Sequence, residues 1–351
     1  MRRSPSTASL GPPLQGALAG SRRVFITAHA DPDPDALGSM LGLCNILRRE
    51  GWDATPVCVG RRPSFAASLP GNESIVSFPD RLGPGEAPTL LLNAGDALAV
   101  MDTPTPDRMA AFYELHRDVL HDCPIVVFDH HYTNTRFGTV NYVDSAAAAT
   151  AEVVTRVLDA SGLALDAASA TCLMTALVGD TQGFRTESTT VESLRLGARF
   201  AAAGAPIFRT AELLFSTRPL SAIKLWGAAM AQVQEAEGFL WTWVTSDMLA
   251  AAEATLEDAE GLVNFLLASQ NTRVAVVLKE TQTGATKVSI RTIPGVDATK
   301  IAGYFGGGGH QRAAGCTIDA PPRQAADRLI PRVLEELASS APPPSVSAQR
   351  P

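Results

Sequence analysis

Val24-Phe25-Ile26-Thr27-Ala28-His29-Ala30-Asp31-Pro32-Asp33-Pro34-Asp35 is the stretch on which the reading of this chain turns. Its first five residues form a short apolar run of strand type, and a helical pattern begins near Ala36 and reaches Glu50. Between them the chain places imidazole and hard oxygen where a strand gives way to a helix. In an open parallel sheet that carboxyl end is where ligands sit. Pro32 and Pro34 stiffen the loop and Gly38 relaxes it, so short carboxylates can converge on a cation at little ordering cost. An isolated Asp-Pro-Asp would read as a capped surface turn. A histidine at the strand end and further clusters downstream argue for a metal-dependent site.

The same grammar recurs. Asp129-His130-His131 follows the apolar run Ile125 to Phe128, and Asp180 sits in Leu177-Val178-Gly179-Asp180-Thr181. Asp102 ends the run Ala97 to Met101, the position that His29 occupies after its own strand, whereas Asp96 precedes that run after Ala94-Gly95 and reads as a turn residue. Asp102 is therefore the expected ligand. Adjacent His130 and His131 at a strand end are hard to place together in a core. His116 and His121 fall on an ordinary polar segment and are expected in solvated helix and loop, and Asp31 is expected to stabilise a turn.

Runs at Thr55 to Val59, Ala97 to Met101 and Ile125 to Phe128 alternate with helical stretches, which implies an α/β fold with a parallel sheet. An alanine-rich helical region from Ala146 to about Gly204, containing Glu152 and Asp180, follows. After Phe215 the texture changes. Strands are expected at Phe239 to Thr245, Arg273 to Glu280, Lys287 to Thr292 and Cys316 to Asp319, with helices near Leu256 to Gln270 and Ala325 to Ala338. This reads as a second, smaller α/β domain. The expected division is a disordered tail 1–20, a catalytic domain 21–215, a second domain 216–338 and a disordered tail 339–351, with the boundary between about 205 and 235.

A formal net charge of -7 argues against a long, nonspecific grip on duplex DNA, which needs many phosphate-neutralising cations, and leaves a short anionic ligand compatible. The five cysteines include no Cys-x-x-Cys pair, so neither a zinc ribbon nor a disulfide framework is indicated, and reduced buried thiols are expected. With no signal-type apolar segment and no run long enough to span a bilayer, the chain reads as cytoplasmic, with no membrane partner.

His29-x-x-x-Asp33-x-Asp35, Asp102, Asp129-His130-His131 and Asp180 together resemble, in order and spacing, the four signature motifs of the DHH phosphoesterase superfamily. Gly306-Gly307-Gly308-Gly309-His310-Gln311-Arg312-Ala313-Ala314-Gly315 is similar to the glycine-rich motif of its associated C-terminal domain. The likeness covers nearly everything between the tails. In layout the chain resembles the nanoRNase and 3'-phosphoadenosine-5'-phosphate phosphatase subgroup, without the extra domains of RecJ exonucleases or membrane-bound cyclic-dinucleotide phosphodiesterases.

The resemblance implies a parallel-sheet metal domain, a smaller α/β substrate-binding domain and an active site in the cleft between them. It implies two divalent ions: His29, Asp33 and Asp102 on one, Asp35, Asp102, His130 and Asp180 on the other, with Asp102 bridging. Mixed imidazole and carboxylate ligands suit Mn2+ ahead of Mg2+. By the same resemblance His131 faces the scissile phosphate as donor or proton source, Asp129 orients a histidine ring, and Arg291, Gly307, Gly308, Gly309, His310 and Arg312 contact substrate. The glycine run is flexible enough for its backbone N–H groups to approach a phosphate closely.

The expected activity is hydrolysis of short single-stranded RNA or DNA oligonucleotides (nanoRNA, linear dinucleotides) to mononucleotides, or of a nucleoside bisphosphate, 3'-phosphoadenosine 5'-phosphate, to AMP. A homodimer is admitted. A pyrophosphatase or polyphosphatase would pair the same metal site with a C-terminal domain lacking the Gly-Gly-Gly-His run. A catalytically silent nucleotide-binding regulator would show eroded ligands, for example an apolar residue at 33 or 130, and none is seen.

Overall fold

The computed structural model describes residues 13–83, 90–216 and 218–340, and the chain divides into two compact units, residues 1–217 and 218–351. In the first unit, β1 (Val24–Ala28), β2 (Ala54–Val59), β3 (Val76–Phe78), β4 (Ala97–Met101), β5 (Ile125–Asp129) and β6 (Val140–Val143) form one sheet in the order β3-β2-β1-β4-β5-β6. Every neighbouring pair is parallel. All five residues of β1 and of β4 are buried, which is why both read as uninterrupted apolar runs. The strand order reverses between β1 and β4, and such a switch point opens a crevice at the carboxyl ends of the strands.

The helices of this unit are α1 (Leu14–Ala17), α2 (Pro34–Arg49), α3 (Ala111–Leu120), α4 (Thr150–Ala160), α5 (Ala167–Asp180), α6 (Val191–Ala202) and α7 (Ile207–Ala211). The α2–α5 contact matters most for the site. A side chain at Gly38 would place Cβ 2.5 Å from the Cys172 carbonyl and 2.9 Å from the Ala176 Cβ, and one at Gly42 would lie 2.8 Å from Leu173. Gly38 therefore does not relax the preceding loop, as its position had suggested. It sits inside α2 and lets α5 come close.

Two further expectations are corrected here. Residues 13–20, expected within a disordered tail, pack on the core: Leu14 and Leu18 are 1% and 0% exposed. His116 is not solvated. It is buried on the inner face of α3, its ring 4.6 Å from Phe112 and 5.9 Å from Phe78, while His121 is exposed as expected.

The second unit contains a mixed sheet of β7 (Gln234–Ala236), β8 (Phe239–Val244), β9 (Val274–Glu280), β10 (Thr286–Thr292), β11 (Gly308–His310) and β12 (Ala313–Ile318), in the order β11-β12-β10-β9-β8-β7. Its helices are α8 (Leu220–Met230), α9 (Ser246–Ala252), α10 (Leu262–Leu267), α11 (Ala298–Gly303) and α12 (Pro322–Ser339). One sheet face packs on α11 and α12, and part of the other packs on α8 and α10. The expected helix Leu256 to Gln270 is two pieces, a turn at Leu256–Ala259 and α10, because Glu260 is extended and Gly261 is left-handed at φ 87. The glycine run is not a free loop either. Gly308–His310 is a strand hydrogen-bonded to β12, and a side chain at Gly307 or Gly309 would collide with the backbone of Gly315 or Ala313. Of the expected tails, residues 1–12 and 341–351 lie outside the described residues, and α12 continues through Ser339. No helix among the described residues is long and apolar enough to cross a membrane.

Candidate metal centre

At the switch point, the carboxyl ends of β1, β4 and β5 deliver His29, Asp102 and the Asp129-His130-His131 run to one place. Asp33 and Asp35 arrive with the start of α2. Asp33 is its N-cap, its Oδ1 accepting the Ala36 amide at 3.0 Å, which orients the loop. Asp180 arrives differently, at the C-terminal end of α5. Gly179 makes this possible, since a Cβ there would lie 2.5 Å from the Pro34 Cβ. The glycine approach of α5 to α2 thus carries the last carboxylate to the first motif.

The Nε2 atom of His130 is 3.4 Å from Asp102 Oδ1, 3.7 Å from Asp180 Oδ2 and 3.8 Å from Asp35 Oδ2, and His29 Nε2 is 3.8 Å from Asp102 Oδ2. Ligand atoms of His29, Asp33 and Asp102 fall within 4.8 Å of one another, as do those of Asp35, His130 and Asp180, and those of Asp102, His130 and His131. Both ring orientations suit ligation. His29 Nδ1 donates to the Ala30 carbonyl at 2.9 Å and His130 Nδ1 to the Ala147 carbonyl at 3.3 Å, which turns each Nε2 toward the carboxylates.

His131 is turned the other way. Its Nδ1 donates to Asp129 Oδ1 at 2.7 Å, nearer than its 3.4 Å separation from Asp102. Asp129 Oδ1 also accepts the amides of His130 and His131, and Oδ2 accepts Asn134 Nδ2 at 2.5 Å. These bonds fix the two histidines.

Electrostatics describe a site short of positive charge. Burial first, then the Asp102 charge, raises Asp33 and raises Asp35 well above the ordinary range. Burial also raises Asp180, to about 7. Burial opposes ionisation of Asp102 as well, but the His130 hydrogen bond and the neighbouring histidines hold it below the usual range. His130 and His131 are both raised despite burial, by Asp102 and Asp129 respectively. Carboxylates gathered this closely, two of them buried, are stable together only with cations among them. The donor set, hard oxygens with two imidazole nitrogens, fits divalent metal.

Asp96 lies at the opposite end of β4, paired bidentately with Arg23 at 3.1 and 2.7 Å and accepting the Asn93 amide. Asp31 ties two loops, its Oδ1 accepting the Arg61 amide at 2.8 Å, and takes no part in the cluster. Arg291, Gly307, Gly308, Gly309, His310 and Arg312 all lie in the second unit, on or beside β10, β11 and β12.

One residue of the site had no sequence signal strong enough to find it. The Thr150 amide donates to Asp35 Oδ2 at 2.6 Å and its hydroxyl to Asp102 Oδ1 at 3.0 Å, while the Ala151 amide reaches Asp35 Oδ1 at 3.2 Å. The start of α4 thereby fixes two of the carboxylates, with its positive dipole end toward them. A threonine opening a helix after four alanines would have been the only clue.

Residues 23–177 match the DHH family, N-terminal domain, and residues 243–339 match the DHHA1 domain. The chain is 34% identical over 315 residues to the bifunctional oligoribonuclease and PAP phosphatase NrnA of Thermus thermophilus, covering 90% of each. It is 26% identical over 302 residues to the protein of that name from Bacillus subtilis, covering 84% of this chain and 89% of the relative. Among solved structures, an exopolyphosphatase-related protein from Bacteroides fragilis superposes with a TM-score of 0.82 at 20% identity, over 92% of this chain and 94% of the other, and shares the fold.

Proposed function

Because the chain belongs to the DHH family and carries the DHHA1 domain after it, we propose that it is a metal-dependent phosphoesterase that cuts short single-stranded oligonucleotides to mononucleotides and 3'-phosphoadenosine 5'-phosphate to AMP. The observation that carries this reading is the cluster of His29, Asp33, Asp35, Asp102, His130 and Asp180, with Asp35 and Asp102 buried and the histidine Nε2 atoms facing the carboxylates, in a chain whose relatives bear the names given above.

His29, Asp33 and Asp102 would hold one divalent ion and Asp35, Asp102, His130 and Asp180 the other, Mn2+ ahead of Mg2+. Ions there supply Lewis acidity, which lowers the pKa of water and neutralises charge on phosphoryl oxygens. The chain does the rest. Asp129 keeps His131 Nδ1 protonated and favours the imidazolium, so Nε2–H is a donor that can face a phosphoryl oxygen and pass a proton to the departing oxygen. Thr150 holds Asp35 and Asp102 in place. Arg291, Gly307, Gly308, Gly309, His310 and Arg312 are assigned to substrate phosphate and base, a role for which a bidentate guanidinium is suited. The compartment is the cytoplasm, where the five buried free cysteines remain thiols.

The test is turnover of 5'-phosphorylated di- to pentanucleotides, 3'-phosphoadenosine 5'-phosphate, cyclic dinucleotides and pyrophosphate by protein supplied with Mn2+. Release of mononucleotides or AMP, abolished by chelation and restored by Mn2+, is expected. Undiminished hydrolysis after exhaustive chelation, or turnover of pyrophosphate alone, would overturn the reading.

A further inference from the structure

The sheet of the second unit has a face that its helices leave partly open. Val288, Ile290, Ala314, Cys316 and Ile318 point into the core beside α11 and α12. The alternate residues Lys287, Ser289, Arg291, Ala313, Gly315 and Thr317 therefore point the other way. Register sets Thr317 opposite Lys287, Gly315 opposite Ser289, and Ala313 opposite Arg291, with Gly308 of β11 beyond Gly315. The result is a floor of residues with little or no side chain, with one cation standing at each end. Lys287 and Thr317 are exposed.

The charge on this face is lopsided. Burial works against ionisation of Glu260, yet its carboxyl is held below the ordinary range by Lys279, its partner at 2.8 Å, and by the charges of Lys287 and Arg291. Three cations act on one carboxylate, in a chain whose formal net charge is -7.

We propose that Lys287 and Thr317 form an anion subsite that reads oligonucleotide length, gripping a phosphate two links along from the one assigned to Arg291. This rests on the reading of Arg291 given above. Four residues of strand separate the two cations, about 13 Å at the ordinary rise of roughly 3.3 Å per residue, a span that suits two steps of an extended single strand. The bare floor of Ala313, Gly315 and Gly308 lets the intervening sugar and phosphate lie against the sheet. A dinucleotide or a nucleoside bisphosphate is too short to engage both ends, whereas a 5'-phosphorylated tetranucleotide is long enough.

The experiment compares Lys287→Ala, Lys287→Glu and Lys287→Arg with the unaltered protein on 3'-phosphoadenosine 5'-phosphate and on 5'-phosphorylated di-, tetra- and pentanucleotides. Lys287→Ala should raise KM for the tetra- and pentanucleotides about three- to tenfold, and Lys287→Glu further. Lys287→Arg should restore it, and the short substrates should be unaffected. The salt dependence of log KM for the pentanucleotide should fall by about 0.7, one phosphate contact on a single strand. Equal losses on short and long substrates, or none on the pentanucleotide, would overturn the subsite. The unaltered protein's own substrate profile tests the function separately. Should it cut no oligonucleotide, fluorescence anisotropy of a labelled 5'-phosphorylated pentanucleotide still decides, since equal affinity for unaltered protein and Lys287→Glu rejects the subsite.

Discussion

The amide of Thr150 donates to Asp35 Oδ2 at 2.6 Å across 115 residues of sequence, and the hydroxyl of the same threonine donates to Asp102 Oδ1 at 3.0 Å. One residue thus sets the distance between two carboxylates assigned to the metal pair. Thr150→Val keeps the amide and the side-chain shape but loses the hydroxyl. It should weaken Mn2+ binding, measured calorimetrically, by about 10- to 100-fold, the usual cost of losing a residue that orients a ligand. Thr150→Ser should recover it. Unaltered Mn2+ affinity in Thr150→Val would show that the hydroxyl does not hold Asp102.

Asp102→Ala should be the most damaging of the ligand changes, since this carboxylate approaches both His29 and His130 and is the one that would serve both ions. Asp96→Ala should leave metal content unchanged and lower stability through loss of the Arg23 pair and of the Asn93 amide bond. Metal analysis of the two purified variants decides, and the reverse outcome would mean that the wrong aspartate has been assigned.

Gly38→Val should destabilise the first unit by about 1–3 kcal/mol in urea unfolding, the usual range for overpacking a filled core, because its Cβ would meet α5 backbone at 2.5 Å. It should also lower Mn2+ affinity, since the same contact carries Asp180 to Asp33 and Asp35. Gly16→Ala, with nothing within 4 Å of the added Cβ, is the control and should be neutral. Equal stability of the two variants would refute the close approach.

His116 supplies a pH dependence remote from the metal residues. Burial, outweighing the hydrogen bond of its Nδ1 to the Phe112 carbonyl at 2.8 Å, lowers its pKa below the ordinary 6.5. The unfolded chain therefore takes up this proton more readily than the folded one. The stability contributed is complete above about 6.5 and is lost as pH falls below that value toward the folded pKa. Urea titrations between pH 7.5 and 5 should show His116→Leu with a shallower loss of stability than the unaltered protein, and parallel curves would count against a buried neutral ring.

What the sequence determined about this protein was the content of its short-range grammar. Fully buried parallel strands must be apolar throughout, so β1, β4 and β5 were visible as runs, and the residues that end them, His29, Asp102 and Asp129-His130-His131, stood out as polar groups where burial stops. Asp102 could be told from Asp96 for the same reason, as the two lie at opposite ends of β4. The tertiary structure decided everything set by contacts between distant segments. It turned Gly38 from an apparent loop residue into part of the close approach that, with Gly179, brings Asp180 to the first motif, and it found Thr150. It buried His116 between Phe78 and Phe112, and it drew the glycine run of residues 306–309 onto the edge of a sheet. Local propensity and periodicity report only which face of an element is apolar. Which two faces meet, and how closely, depends on side-chain volumes at positions far apart in the chain, and that information exists only once the core is packed.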